Sequence, residues 1–358
     1  MIKKLCIFTI SFAYNRQVLL NFIEKIMPKE IELYLFVPKE CKGKFYSKRI
    51  KIHESKQNKF QCFLDLRKFC KKNKIQRIFS MGALPQEGYL MALATLNTQT
   101  DFIPHLVVNP FNAFNPFKMG FKKSTLKSFI EYFLLFPLPP FSRKFYVVSK
   151  DLTKITKKHF PYSSKKIKFL RYIVDTETFK PIEKTKARKN LNLSLNKKII
   201  LFVGRIEYAK GSDMILNAAK MNPDILFILI GQLFDKKIRA LKNIKILPPQ
   251  KNRKTLSDYY NSADLLLFPS RTEGFPVVPR EALSCGTPVI ANNITGLKML
   301  KPAIKTNLNP LEVNKKIKQF FNLPKKQKDE ISKYSREFIL NECSEKVCKS
   351  LYMDKILF

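Results

Sequence analysis

Apolar and polar positions along the chain fall into two alternating periods. Short continuous apolar runs, of strand length, are followed by segments whose apolar positions recur at the three-to-four spacing of a helix. The first run, Lys4 to Ser11, predicts a buried strand. Helical spacing follows from about Gln17 to Ile26, then a second strand over Ile31 to Val37. A helix is expected over about Lys59 to Lys72, where Phe63, Leu66, Phe69 and Cys70 keep helical spacing. Arg77 to Ser80 reads as a strand, Glu87 to Leu96 as a helix, and Ile103 to Val108 and Phe145 to Ser149 as strands. Strands alternating with helices imply right-handed crossovers and a parallel sheet with helices on both faces.

A polar stretch rich in Lys and Asn, Ile182 to Lys197, interrupts this pattern and reads as an interdomain connection with a short helix. The pattern then restarts. Ile199 to Gly204 and Ile225 to Gly231 are buried strands around a helix from about Ser212 to Lys220. Ile244 to Leu247 is a short strand, Arg253 to Ser262 a helix and Leu265 to Pro269 a strand. A helix begins near Pro279, Pro288 to Ala291 is a strand, and Lys326 to Tyr352 is helical. The fold class expected is α/β: two Rossmann-like βα domains, over residues 1–181 and 182–329, then a helical stretch over 330–358. Ligands of such sheets bind beyond the carboxyl ends of the strands, so a cleft between two facing sheets is the expected site.

Composition narrows this picture. At 358 residues, 45% hydrophobic and 27% charged, the chain has room for two domains and excludes wholesale disorder. The longest apolar run, Phe133 to Phe141, holds three prolines and falls short of the roughly 18 residues of a membrane span. The start, MIKKLCIFTISFAY, resembles a signal peptide, but Asn15-Arg16-Gln17 follows where a small-residue cleavage site would stand, so a first strand is expected. Seven scattered cysteines, without a CxxC pair or a nearby His, support neither a zinc site nor a disulfide framework.

The net charge is +39. Residues 1–180 carry 34 basic against 12 acidic side chains, and residues 181–358 carry 33 against 16, so the excess is no tail. Such a surface attracts nucleic acid, acidic lipid headgroups or phosphorylated substrates. The richness in Lys, Ile, Asn and Phe without Trp is also what A/T-biased coding gives. Phe111, Phe114, Phe117, Phe121, Phe129, Phe133 and Phe136 interleave with Lys118, Lys122, Lys123 and Lys127. That segment is either an ordinary helix of the first domain or one that lies in an anionic membrane interface.

The candidate chemistry lies in the second half. Its first strand ends in Gly204-Arg205, and Lys210-Gly211 precedes a helix. Glycine permits close backbone approach, Arg205 offers a fork of donors, Lys210 a point charge, and the helix start free N–H groups; together these suit a diphosphate. Residues 269–291 read PSRTEGFPVVPREALSCGTPVIA, with Glu273 and Glu281 eight apart. Glu273 stands in a loop before Gly274-Phe275-Pro276. Glu281 is expected in the first turn of the next helix, where the helix dipole favours a carboxylate that can accept two ribose hydroxyls.

This segment resembles the Glu-x7-Glu signature of the retaining glycosyltransferases of family 4, and VGRIEYAKG resembles that family's phosphate-binding turn. RYIVDTETFKP (Arg171 to Pro181), Val147-Val148-Ser149, Tyr259, Ala263-Asp264 and Phe268-Pro269-Ser270 match further stretches, so the resemblance covers about residues 145–295. It implies a GT-B fold whose last helix crosses back onto the first domain. It assigns Arg205 and Lys210 to the departing nucleoside diphosphate, Glu281 to the ribose, and Glu273 with the backbone of Gly274, Phe275 and Pro276 to the transferred sugar. Gly204 supplies the turn. No metal or other cofactor is implied beyond the nucleotide diphosphate sugar itself. The acceptor implied is a glycan or lipid-linked glycan at the inner face of the cytoplasmic membrane, in cell-surface polysaccharide or lipopolysaccharide synthesis.

Departures from the family's pattern fall in the first domain. The loop Ser11 to Arg16 lacks the family's glycine pair. No histidine ends the strand near the sugar; His105 starts it and Asn109 ends it, and these two are the acceptor-side candidates. Thr295-Gly296-Leu297-Lys298 stands where an acid is usual. A non-catalytic relative that binds a nucleotide sugar is the alternative. A nucleic-acid-binding protein is a third reading that rests on charge alone, since no specific nucleic-acid motif is present.

Overall fold

The computed structural model describes residues 2–10, 14–39, 41, 45–58, 61–81, 85–107, 111, 130, 133, 135–136, 138–294 and 296–357. Asn109, part of the expected first loop and most of the basic aromatic segment lie outside the described residues. Packing divides the chain into two units. One comprises 1–173 and 348–358, the other 174–347.

In the first unit the strands are β1 (Lys4–Phe8), β2 (Glu32–Val37), β3 (Lys51–Glu54), β4 (Arg77–Ser80) and β5 (Asp101–Ile103). They form a parallel sheet in the order β3-β2-β1-β4-β5. Helices α1 (Tyr14–Ile26), α2 (Cys62–Asn73) and α3 (Pro85–Thr95) connect them. A second parallel sheet joins β6 (His105–Leu106), β7 (Phe145–Val147) and β8 (Ile167–Phe169). The strand expected over 103–108 is split between two sheets at Pro104, which has no N–H to give a ladder. β3 escaped the sequence reading because all four of its residues are exposed and show no apolar period. Helices α4 (Leu138–Phe141) and α5 (Lys150–His159) complete the run.

In the second unit, α6 (Lys184–Asn190) precedes β9 (Ile199–Val203), α7 (Ser212–Met221), β10 (Leu226–Ile230), β11 (Ile244–Leu247), α8 (Arg253–Ser262), β12 (Leu265–Phe268), α9 (Val277–Ser284), β13 (Val289–Asn292), β14 (Ile304–Thr306), α10 (Pro310–Asn322) and α11 (Lys325–Cys343). The parallel sheet runs β11-β10-β9-β12-β13-β14, the strand order 3-2-1-4-5-6 of a dinucleotide-binding fold. Alternate residues of β9 face opposite cores, as a strand's period of two requires. Ile199, Leu201 and Val203 pack with α8, α9 and α11, whereas Ile200 and Phe202 pack with α7 and α10.

The units change places eight residues before the expected boundary at 181/182. The Val174 N–H already donates to the carbonyl of Cys343 on α11. The stretch expected to leave the second domain at 330 also divides. Arg336 on α11 holds the carbonyls of Thr176, Phe179 and Ser284 within the second unit. Only the chain from Cys348 belongs to the first unit, in the last helix, α12 (Glu345–Leu357). There the Tyr352 hydroxyl donates to the Arg171 carbonyl at 3.0 Å, and the Tyr146 hydroxyl to that of Lys355 at 3.0 Å. Among the described residues no helix is long and apolar enough to cross a membrane.

Candidate functional site

Strand order reverses between β9 and β12, and the crevice beyond their carboxyl ends is where such sheets take ligands. The Gly-Arg/Lys-Gly motif folds there as strand end, one 3-10 turn (Tyr208–Lys210) and the start of α7. Gly211 has φ +80°, and a Cβ there would stand 2.3 Å from the Pro269 carbonyl oxygen. The turn therefore lies directly on the β12 loop, and only glycine allows it. This brings Lys210 to Glu273, with Nζ 2.6 Å from Oε1. Ser270 Oγ donates to the same oxygen at 2.7 Å. Arg205 is 60% exposed and pairs with Glu207 at 2.9 Å, so its guanidinium remains open to a ligand.

The loop Glu273 to Pro276 is held from two sides. Gly296, with φ +85°, would place a Cβ 2.5 Å from the Gly274 carbonyl oxygen. The buried Arg280 stacks over the Phe275 ring at 3.5 Å and donates to the Pro276 carbonyl at 2.7 Å. Burial lowers the Arg280 pKa to about 10.

Glu281 is not where the helix-dipole argument needs it. Pro276 caps α9 and Pro279 fits its first turn, where a missing N–H costs nothing. The helix therefore begins at Val277, and Glu281 falls in the second turn. Its charge is met by side chains instead. Arg253 Nη2 pairs with Oε1, and the Tyr260 hydroxyl donates to Oε2 at 2.9 Å. Burial raises the carboxyl's pKa and Arg253 opposes that shift. Arg253 itself lies over the Phe179 ring at 4.4 Å.

Of the acceptor-side candidates, His105 is fully buried between the Phe79 and Tyr172 rings. Its Nε2 lies 2.9 Å from the Leu170 carbonyl oxygen, and burial lowers its pKa to about 4. It is a neutral packing residue with no surface for a ligand. Asn109 lies outside the described residues.

Arg253, Tyr260, Arg271 and Arg280 escaped the sequence reading. The matching tyrosine run pointed to Tyr259, whereas Tyr260 makes the bond to Glu281. Arg271 grips Asp213 with both terminal nitrogens, at 2.8 and 2.7 Å, and stacks on Tyr208 at 3.6 Å. A signal for Arg253 and Tyr260 was present: the two are seven apart on one helix, hence on one face.

Two units of this topology constitute the GT-B architecture, and known structures agree. Sucrose-phosphate synthase from Thermosynechococcus elongatus superposes with a TM-score of 0.82 at 15% identity, over 99% of this chain and 98% of that one. Anabaena HepE, solved in complex with UDP and glucose, gives 0.76 at 14% identity over 100% of both chains. Residues 183–338 match the family described as Glycosyl transferases group 1, and the chain carries that domain. D-inositol 3-phosphate glycosyltransferase of Mycobacterium sp. (strain KMS) is 36% identical over 137 residues, 35% of this chain. The match spans 31% of that relative's length.

Proposed function

We propose that the chain is a retaining hexosyltransferase that moves a sugar from a nucleotide diphosphate sugar to a glycan or lipid-linked glycan. The contact of Lys210 with Glu273 at the switch point carries this reading, because it sets a phosphate-binding cation against a sugar-binding carboxylate. As the glycosidic bond breaks, positive charge builds on the sugar and negative charge on the leaving phosphate. Lys210, Arg205 and the start of α7 stabilise the phosphate, most strongly in the transition state. Glu273 and the Gly274–Pro276 backbone face the sugar, and Glu281 the ribose. The reading needs no metal, since the two cations fill that place. UDP and glucose in the Anabaena structure make UDP-glucose the first donor to try.

The test follows release of UDP from UDP-glucose, and from other nucleotide sugars in turn, in the native chain and in Glu273→Ala. Turnover of one donor that the variant loses supports transfer. Nucleotide binding without turnover of any donor favours the non-catalytic alternative. The same reading puts the protein at the inner face of the cytoplasmic membrane, in cell-surface polysaccharide or lipopolysaccharide synthesis. The +39 charge and the exposed Phe133, Phe136 and Phe141 suit an anionic surface. Equal sedimentation with neutral and anionic vesicles at low salt would remove that placement.

A further inference from the structure

Glu281 is the most completely paired carboxylate of the site, and its partners differ in reach. Tyr260 is fully buried, and its hydroxyl meets Oε2 from inside the core. Arg253 is the first residue of α8, and its side chain is 16% exposed against 4% for Glu281. The Arg253 side chain is thus more exposed than the carboxylate, and its guanidinium meets Oε1. It is held from behind by the Phe179 ring and by the start of α8, whose Asn252 cap accepts from the N–H groups of Lys254 and Thr255. A carboxylate oxygen has two lone pairs, so Oε1 can keep Arg253 and still accept a hydroxyl.

We propose that Arg253 is the positioning residue of the ribose-binding carboxylate: it keeps Glu281 ionised and fixed in direction, so that a ribose diol meets a charged, oriented acceptor. The proposal rests on the nucleotide reading above and adds what selects ribose within it. Burial and Asp175 raise the proton affinity of Glu281, and the hydrogen bond from Tyr260, a neutral phenol, lowers it without bringing a charge. Arg253 is the cation that opposes burial and Asp175, by its charge and by its own hydrogen bond. Without it Glu281 would bind a proton more readily, and a protonated carboxyl is a poorer acceptor for a hydroxyl.

The experiment measures binding of UDP and of 2′-deoxy-UDP, by calorimetry, to the native chain, Arg253→Lys and Arg253→Met at about pH 8 and about pH 6. The two probes share a diphosphate, so their ratio cancels its titration. The native chain should prefer UDP equally at both pH values. Arg253→Met should bind UDP about 10-fold more weakly, and its preference for UDP should shrink further at the lower pH. Arg253→Lys keeps the charge but loses the fork and the stack, so it should lose affinity several-fold and keep a pH-independent preference. An Arg253→Met variant with native affinity, or a tighter one, overturns the proposal. If that variant fails to fold, unchanged UDP affinity in Arg253→Lys overturns it instead. A native chain that binds no nucleoside diphosphate removes the nucleotide reading itself, which is a separate result.

Discussion

The same strand order ends in two different ways in this molecule. Beyond β1 and β4 in the first unit, Arg16 and Glu87 pair at 2.6 Å with side chains only 10% and 0% exposed. Glu87 Oε1 also accepts from Thr9 and from the Ile10 N–H, while Oε2 has no partner among the described residues. Beyond β9 and β12 in the second unit, Lys210 and Glu273 pair at the same distance but are 23% and 11% exposed. One pair is closed into the core and the other is open to a ligand. Burial pushes the Glu87 carboxyl above its ordinary range despite Arg16, whereas both members of the Lys210 pair keep some contact with water. On the function proposed above, equivalent topological positions serve cohesion in one unit and chemistry in the other.

The sharpest way to break this comparison is to cut each pair once. Arg16→Met leaves Glu87 buried without its cation, and removing one partner of a buried pair costs about 3–5 kcal/mol. Urea unfolding should show that loss. Lys210→Ala should cost less, about 1–2 kcal/mol in the same assay, since this pair is partly solvated and Ser270 still donates to Glu273. Equal losses would mean that the two pairs do the same work. The roles reverse in the chemistry: Lys210→Ala should slow nucleotide release from the donor by about 10²–10³. An effect below about tenfold would remove Lys210 from the leaving-group site.

His105 sharpens the first unit's side. Its folded pKa of about 4 lies below the value of 6.5 for a free imidazole. Between these values the unfolded chain binds a proton that the folded chain refuses, so stability rises as pH rises through this window and levels off above it. The shift corresponds to roughly 3 kcal/mol. His105→Gln should flatten stability between about pH 4 and 6.5, as followed by urea midpoints. An unchanged slope would mean that other groups set it.

The sequence disclosed the second unit better than the first, and the reason is physical. β9 and β10 are buried on both faces and read as unbroken apolar runs, which few other elements imitate. Gly204, Arg205, Lys210 and Glu273 lie at strand ends and in loops beside glycine and proline, where the residue types themselves mark a turn. β3 and β14 are short edge strands with little or no apolar period, and α5 presents only Leu152 and Thr156 to the core, so none of the three was legible. The pairing of Glu281 with Arg253 and Tyr260 depends on how α8 packs on α9, a long-range fact that no local pattern encodes. The position of Glu281 in its helix was misread because Pro279 looked like a first residue when it is the third.

The smallest effect expected is at Arg271, and it tests whether the open pair stands on a prepared frame. Arg271 joins the loop after β12 to the start of α7 by two parallel bonds to Asp213, and its own N–H donates to the Ala209 carbonyl at 3.0 Å. Tyr208, stacked beneath it, is otherwise 65% exposed. Lysine can supply one of these bonds but not the fork or the planar stack. Arg271→Lys should therefore cost about 1 kcal/mol, a fall of about 2–4 °C in the melting of a unit this size. The loss should be local. Amide exchange should quicken at Lys210 and Gly211, whose N–H groups close the turn on Glu207 and Tyr208, and stay unchanged at Ile10 in the first unit. Donor KM should rise while turnover at saturation changes less, because the turn carries Lys210 to Glu273 without itself touching the breaking bond. If exchange at the turn is unaffected, Gly211 against Pro269 holds the turn alone, and the arginine fork only decorates it.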